Sequence, residues 1–325
     1  MHDRPSGEFA HVLSGMLNAT GVLEGEAAVR LLAQGAPWHS VAPYVQDREW
    51  WRQQKPRQMA TRQPAFSLRV WDATVCVQAR ETTIWIDPGP RAPAPAEIPK
   101  ALRPDLIVVT HAHQDHTALL GSYSEVFPDV PVVMTAATAR LLAISETDWS
   151  VAECLQQRTR RLDFLTDFVF GELTVRLLPA GHLLGAAMVD LQTRDMALLV
   201  TGDFALRDVG GIGGAAWPDG SYDLVLMEST PTDQGLLPVM NTRATRQPIL
   251  NSLYSALSQG SSRIVTPAQA KGQAQEIYTA LVLAQQSGKF PDVDVGLAGL
   301  AFHVAHEYYQ AVGGQPGPWW IAPLE

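Results

Sequence analysis

The sequence predicts a mixed α/β fold in which two β-sheets pack on each other and helices cover the outside. Between residues 66 and 228 the chain is a series of short runs rich in β-branched and apolar residues, with few helical stretches among them. From about residue 242 the pattern becomes helical. Strands and helices do not alternate strictly, which argues against a doubly wound parallel sheet.

Nine runs before residue 230 are expected to be strands, with a helix at residues 136–144. In chain order the strands are SLRVW, TVCVQA, TTIWID, DLIVVT, VPVVMT, ELTVRLL, AAMVDL, ALLVTGD and DLVLME. Further along we expect strands at RIVT (263–266) and within DVDVGLAGLA (292–301). A helix opened by Thr266 as its cap and Pro267 at its first position is expected between them, and HVAHEYYQAV forms a last helix.

Composition bounds the class of protein. The 325 residues are 46% hydrophobic, enough for one large domain or two smaller ones. The net charge of −9 argues against a surface that binds nucleic acid everywhere, but it allows a local basic patch. Cys76 and Cys154 are too few for a disulfide framework, so we expect two buried thiols. No run is long enough to span a membrane and no signal-peptide pattern opens the chain, so we expect a cytoplasmic protein without membrane contact.

Residues 1–65 are expected to form an N-terminal helical extension followed by a basic linker. Apolar residues at helical spacing between residues 8 and 35 predict amphipathic helices. Residues 48–69 hold six basic residues and one acidic residue, with Trp50 and Trp51 among them. This stretch is either a solvated linker with a packed tryptophan pair or a contact for a polyanion.

Three histidines and an aspartate directly follow the predicted strand DLIVVT, in the motif HAHQDH. His111 and His113 are two residues apart and can point the same way, so they can share one ion. A tight loop can then bring Asp115 and His116 beside them. Two imidazoles on one ion with a carboxylate and an imidazole next door indicate a two-metal centre. The alternative is a set of structural residues in a turn.

Two more candidates follow later strands. His182 lies in a glycine-flanked turn between two predicted strands, and Asp203 ends the run ALLVTGD. A carboxylate in that place could bridge two cations. Each residue alone is typical of a loop, but their order after the histidine motif makes them mutually supporting candidates.

The segments THAHQDHTALLG, PAGHLLGAAMVDL, TGDF and LMEST, in this order, resemble the metallo-β-lactamase superfamily. They are most similar to its β-CASP branch of nucleic-acid nucleases, which includes RNase J, the pre-mRNA 3′-end processing endonuclease and the bacterial DNA-ligase-associated exonucleases. IVTPAQAKGQAQEIY is a poorer match to the stretch that opens the cap domain of that branch. The resemblance implies an αββα sandwich at residues 66–235, a partial β-CASP-like cap at residues 236–325, and hydrolysis of phosphodiester bonds.

The resemblance also implies roles for single residues. Three histidines would hold the first metal, two loop residues the second, and one aspartate would bridge the metals. In that order they are His111, His113 and His182, then Asp115 and His116, then Asp203. Asp115, Asp203 and Glu228 are the candidate catalytic residues, and Asp87 is expected to orient the ligand loop. Glu228 matches an acidic residue that hydrogen-bonds a catalytic histidine in the family. Two divalent ions are implied, with zinc expected and manganese as the alternative.

The pattern also departs from the branch. The branch carries two more histidines after its cap domain, followed by the strands and helix that close the sandwich, and these have no counterpart here. We therefore expect an incomplete sandwich and a second polypeptide that completes the site. A fragment of a longer enzyme is the alternative. His303 and His306 fall on one predicted helix and are expected to pack rather than to bind metal. KGQAQE (271–276) lacks the arginine of the usual GRxQE motif, and WDATVCVQ replaces a usual glycine-rich turn.

Three functions are compatible with these residues. The leading hypothesis is a metal-dependent nuclease whose substrate is DNA or RNA. A hydrolase of small esters, thioesters or lactones needs the same metal core but no cap, so residues 229–325 speak against it. A non-catalytic metal-binding subunit of a nucleic-acid processing complex is disfavoured, because carboxylates held close together without metals would repel each other.

Overall fold

The structure, a computed structural model, describes residues 66–144, 158–194, 196–206, 211–228 and 242–311. All of them belong to one compact unit, residues 64–230 and 241–325. The extension predicted at residues 1–65 and the second cysteine, Cys154, lie outside the described residues. Cys76 is buried, as expected.

Six strands form the first sheet, in the order β1-β2-β3-β4-β5-β6. They are β1 (Ser67–Trp71), β2 (Thr74–Ala79), β3 (Thr82–Ile86), β4 (Leu106–Val108), β5 (Val132–Met134) and β6 (Thr159–Arg161). Strands β1 to β3 pair antiparallel, whereas β3 to β6 pair parallel. Asp72 turns the chain between β1 and β2 at a φ of 56°, so an aspartate takes the left-handed conformation in a turn that often carries glycine.

Five strands form the second sheet, in the order β11-β10-β9-β8-β7. They are β7 (Asp167–Phe170), β8 (Leu173–Pro179), β9 (Ala187–Gln192), β10 (Ala197–Val200) and β11 (Leu224–Leu226). Strands β10 and β11 are parallel, and the other neighbours are antiparallel. The nine strands predicted before residue 230 are confirmed, and β6 and β7 are additional strands that the sequence did not predict.

The core explains why successive residues of these strands are apolar in the sequence. Alternate residues of β3 enter different clusters: Ile84 and Ile86 pack between the sheets against Val175 and Val189, whereas Trp85 packs on the opposite face. All three are at most 1% exposed. Strands buried on both faces need apolar residues at successive positions, so they do not show a polar and apolar alternation.

Six α-helices are described. They are α1 (Gln114–Thr117), α2 (Leu120–Val126), α3 (Ala136–Ala143), α4 (Thr242–Ser258), α5 (Gln273–Gln286) and α6 (Leu300–Ala311). The Thr135 hydroxyl accepts a hydrogen bond from the Thr138 N–H and caps α3. Arg140 on α3 forms an ion pair of 2.6 Å with Glu307 on α6. The predicted class, a mixed α/β fold with two packed sheets and helices, is confirmed. Within the described ranges no helix is both long and apolar enough to cross a membrane.

Two strands predicted in the helical part of the chain were wrong. Residues 263–266 and 292–298 form no strand, because every strand of the two sheets comes from residues 67–226 and neither segment pairs with one. The helix predicted to open at Thr266 and Pro267 begins only at Gln273. The Gln275 side chain accepts a hydrogen bond from the Gly272 N–H there, so the cap is formed six residues later than expected.

Candidate metal centre

The candidate ligands lie where strands of both sheets end. Asp87 follows β3, His111 follows β4, His182 follows β8 and Asp203 follows β10. The structure brings the ligand atoms of His111, His113, His182 and Asp203 within 4.8 Å of one another. Residues separated by up to 92 positions in the chain, from 111 to 203, therefore meet at one point.

The first group of ligand atoms centres on His113. Its Nδ1 lies 3.1 Å from Nε2 of His111 and 3.2 Å from Nε2 of His182. Oδ2 of Asp203 lies 3.8 Å from Nε2 of His111 and 3.6 Å from Nε2 of His182. Three imidazole nitrogens and one carboxylate oxygen at these separations have the chemistry and number of a zinc-type ligand set.

A second group shares Asp203 with the first. Its other oxygen, Oδ1, lies 3.4 Å from Nε2 of His116, and Oδ2 of Asp115 lies 3.7 Å from the same nitrogen. The Asp203 carboxylate thus stands between the two groups, with one oxygen toward each. The Asp115 side chain is 64% exposed and opens this group to solvent. All six residues expected to bind metal are brought together.

Asp87 is buried and is linked by hydrogen bonds to a histidine of each group. Its carboxylate accepts hydrogen bonds from the Thr110 N–H at 2.7 Å, the Thr110 hydroxyl at 2.6 Å and Nδ1 of His116 at 2.7 Å. Its backbone has a φ of 54°, a conformation that residues other than glycine rarely adopt. The Thr74 hydroxyl and the Gly89 N–H both donate to its carbonyl and hold the chain there.

These hydrogen bonds assign the protonated nitrogen of three histidines. The Thr110 hydroxyl donates to Asp87, so it accepts from Nδ1–H of His111 at 3.0 Å and leaves Nε2 free to face Asp203. His116 donates from Nδ1 to Asp87 and likewise presents Nε2. His113 donates from Nε2 to the Lys271 carbonyl at 3.0 Å and presents Nδ1. His111 and His113 therefore turn an unprotonated nitrogen to the centre and His116 points its Nε2 there, so a divalent metal ion fits this set.

The pKa shifts agree with neutral rings at His111 and His182, whereas His116 holds a second proton when no metal is bound. Burial lowers the pKa of His111 well below its ordinary value and that of His182 to about 4, so both rings are neutral at pH 7, the state that binds metal. Burial also lowers the pKa of His116, but Asp87 and Asp203 outweigh it and raise this pKa to about 10. A metal ion must therefore displace a proton from His116. Burial raises the pKa of Asp203, but His116 outweighs it, and the net pKa is lowered.

A glycine fixes the position of the Asp115 backbone. A Cβ atom added to Gly89 would overlap the carbonyl oxygen of Asp115. We expect Gly89→Ala to lower the free energy of unfolding by about 1–3 kcal/mol, as overpacking does, and to displace Asp115. Urea unfolding and metal stoichiometry would measure the two effects. Gly213→Ala is the control, because nothing lies within 4 Å of its added Cβ. Equal unfolding free energies for the two variants would contradict this prediction.

Some residues of the centre gave no signal in the sequence. Thr74 and Thr110 are fully or almost fully buried, and both hold Asp87, but a threonine in or after a strand looks like an ordinary β-forming residue. The Lys271 contact is made by a backbone carbonyl, which no residue type reveals.

The structure gives three other sequence candidates a definite place. The Glu228 carboxylate accepts a hydrogen bond of 2.8 Å from the Phe204 N–H, so it holds the residue after Asp203. His303 and His306 are exposed on α6, so the expectation that they pack was wrong. The apolar side of that helix is formed instead by Val304, Ala305 and Tyr308.

Comparison with known proteins gives the same fold. The family model of the metallo-beta-lactamase superfamily matches residues 73–233. A crystal structure of a protein of unknown function from Enterococcus faecalis V583 is similar in fold, with a TM-score of 0.51 and 15% identity, over 76% of this chain and 67% of that one.

Three curated relatives are similar in sequence. The transcription termination factor FttA of Methanothermobacter thermautotrophicus is 28% identical over 63% of this chain and 36% of its own length. The cleavage and polyadenylation specificity factor subunit 3-I of Arabidopsis thaliana is 27% identical over 58% of this chain and 29% of its own. An RNase J-like protein of Methanocaldococcus jannaschii is 25% identical over 76% of this chain and 58% of its own.

This chain thus spans about a third of the length of the first two of these relatives. Strands β2 to β11 and all six candidate metal ligands lie within residues 73–233, which the family model matches. Residues 73–233 therefore form a metallo-beta-lactamase domain.

Proposed function

We propose that this protein is a metal-dependent nuclease that hydrolyses phosphodiester bonds of DNA or RNA at a dinuclear centre. The observation that carries the proposal is the place of Asp203, whose two carboxylate oxygens face two separate groups of ligand atoms. A carboxylate shared in this way is suited to bridge two cations. The names of the relatives, which refer to transcription termination, cleavage and polyadenylation, and RNase J, support nucleic acid as the substrate.

The residues of the centre have two kinds of role in this proposal: some would bind the metal ions and others position the ligands. His111, His113 and His182 would hold the first ion, and Asp115 and His116 the second, with Asp203 between them. Ions bound there would supply Lewis acidity toward a phosphoryl oxygen and activate water for attack on phosphorus. Asp87 orients His116 directly and His111 through Thr110. Glu228 holds the backbone beside Asp203. Zinc suits the imidazole-rich first group, and manganese is the alternative.

We also propose that the chain has three segments and that it works with a partner polypeptide. We assign residues 66–235 to the metal-binding domain, residues 236–325 to a cap-like segment that meets it, and residues 1–65 to an extension. A second polypeptide completes the site in this proposal. One of the relatives is named as a subunit of a specificity factor, which supports a protein that works within an assembly.

The test is hydrolysis by the full chain after removal of metal with a chelator and addition of zinc or manganese. End-labelled single-stranded DNA and RNA are offered beside a lactone and a thioester. We expect cleavage of nucleic acid that depends on added metal and is unchanged in His303→Ala, an exposed histidine that belongs to neither group of ligand atoms. Hydrolysis of the lactone or thioester alone would replace the proposal with the small-molecule hydrolase. Bound metal without any hydrolysis would show that the chain alone is not a nuclease, and that it either acts only with the second polypeptide or is the metal-binding subunit.

A further inference from the structure

The loop before α5 contacts the histidine motif at two points. The Lys271 carbonyl accepts a hydrogen bond of 3.0 Å from Nε2 of His113, a residue 158 positions earlier in the chain. The Lys271 ammonium donates a hydrogen bond of 2.6 Å to the carbonyl of Ala112. One residue of the helical part of the chain thus binds both the backbone and the ring of the ligand loop.

The same loop is held rigidly from its other side. Gly272 has a φ of 93°, which aims the preceding carbonyl, and its N–H donates to the Gln275 side chain at 2.8 Å. Gln275 is 1% exposed, and its amide also donates to the Ala301 carbonyl at 3.1 Å. The Gln273 side chain accepts a hydrogen bond from the Gln269 N–H at 2.8 Å. The Lys271 carbonyl is therefore fixed in place before any ligand binds.

A second contact joins the same part of the chain to the other ligand turn. The Tyr308 hydroxyl on α6 accepts a hydrogen bond of 3.0 Å from the Leu184 N–H, two residues after His182. Tyr308 is 2% exposed, so this contact is shielded from water. Residues 271–308 therefore hold the loops of two of the three histidines in the first group of ligands.

A neutral imidazole carries its proton on one nitrogen and can bind metal only through the other. A fixed acceptor at Nε2 of His113 keeps the proton there and directs the lone pair of Nδ1 toward His111 and His182. We propose that Lys271 and Gly272 form a positioning loop that selects the metal-binding tautomer of His113 and so tunes the affinity of the first metal site. This inference rests on the proposed metal centre, but it does not depend on the substrate.

The test measures zinc affinity and the state of the His113 ring in the full chain. Lys271→Met removes the ammonium donor and Gly272→Ala disfavours the φ that aims the carbonyl. We expect each variant to bind zinc about 10- to 100-fold more weakly in competition with a chromophoric chelator, the usual cost of losing an outer contact to a metal ligand. ¹⁵N NMR of the metal-free chain is expected to show Nδ1 protonation at His113 in the variants.

Two further variants serve as controls. Lys271→Arg can still donate to Ala112 and is expected to keep wild-type zinc affinity, whereas Lys289→Met removes an exposed lysine in the turn after α5 and is expected to change nothing. A folded Lys271→Met or Gly272→Ala chain with wild-type zinc affinity and a wild-type His113 ring would overturn the inference. If the wild type binds zinc with the assigned tautomer but cleaves no nucleic acid, the proposed function fails and this inference stands.

Discussion

An Asp203→Ala variant is expected to cleave nucleic acid at least about 1,000-fold more slowly than the wild type at saturating metal. Metal ions contribute several kcal/mol of charge stabilisation to such reactions, and each 1.4 kcal/mol corresponds to a factor of ten. Asp203 contacts both ligand groups, at 3.4 Å from His116 and 3.6 Å from His182, so its loss affects both ions at once. Single-turnover cleavage of end-labelled substrate measures the rate.

The matched control for this variant is Asp219→Ala, which removes an exposed carboxylate from the segment that follows the Asp203 loop. Metal content of both variants, measured after gel filtration, shows how much of the loss comes from empty sites. If Asp203→Ala cleaved at the wild-type rate, the two groups of ligands would not form one catalytic centre, and any cleavage by the chain would arise elsewhere.

The second large effect is expected on stability. Asp87→Ala removes a carboxylate that is 1% exposed and accepts three hydrogen bonds, and it leaves Nδ1 of the buried His116 ring without its acceptor. Removing one member of a buried charged pair costs about 3–5 kcal/mol, so we expect a loss of that size in the free energy of unfolding. Urea unfolding of the metal-free chain measures it.

Asp105→Ala provides the comparison for that variant. Asp105 accepts one hydrogen bond of 2.8 Å from the Thr83 N–H at a more exposed place, so its loss is expected to cost about 1 kcal/mol. Metal binding is expected to fail in Asp87→Ala and to persist in Asp105→Ala. Similar unfolding free energies for the two variants would show that the buried network contributes no more than one ordinary hydrogen bond.

Much of the centre could be predicted from residue type and order. His111, His113, Asp115 and His116 were recognisable because a dense polar motif followed an apolar strand. Asp203 is weak evidence alone, and it became informative only as part of an ordered set. Side chains that bind metal directly leave this trace in a sequence, because few other residues can replace them.

The errors in predicting strands from the sequence have a physical explanation. Strand β6 is the short polar sequence Thr159–Arg161, which has neither apolar residues nor a visible period, and it forms because β5 offers a parallel edge. The opposite error occurred at residues 263–266, where an apolar run with strand propensity pairs with no strand of either sheet. Strand formation depends on a neighbour that is distant in the chain, so local propensity can fail in both directions.

The buried bonds of Asp87 have a consequence for how this protein handles its metal. Thr74, Thr110 and Gly89 fix the ligand loop entirely through contacts between protein groups. In small zinc domains the metal supplies the folding energy, and chelators unfold them. Here protein contacts hold the loop, so we expect the chain to keep its fold when metal is removed with a chelator. The metal present in the cell, rather than the history of folding, would then decide which ion occupies the centre.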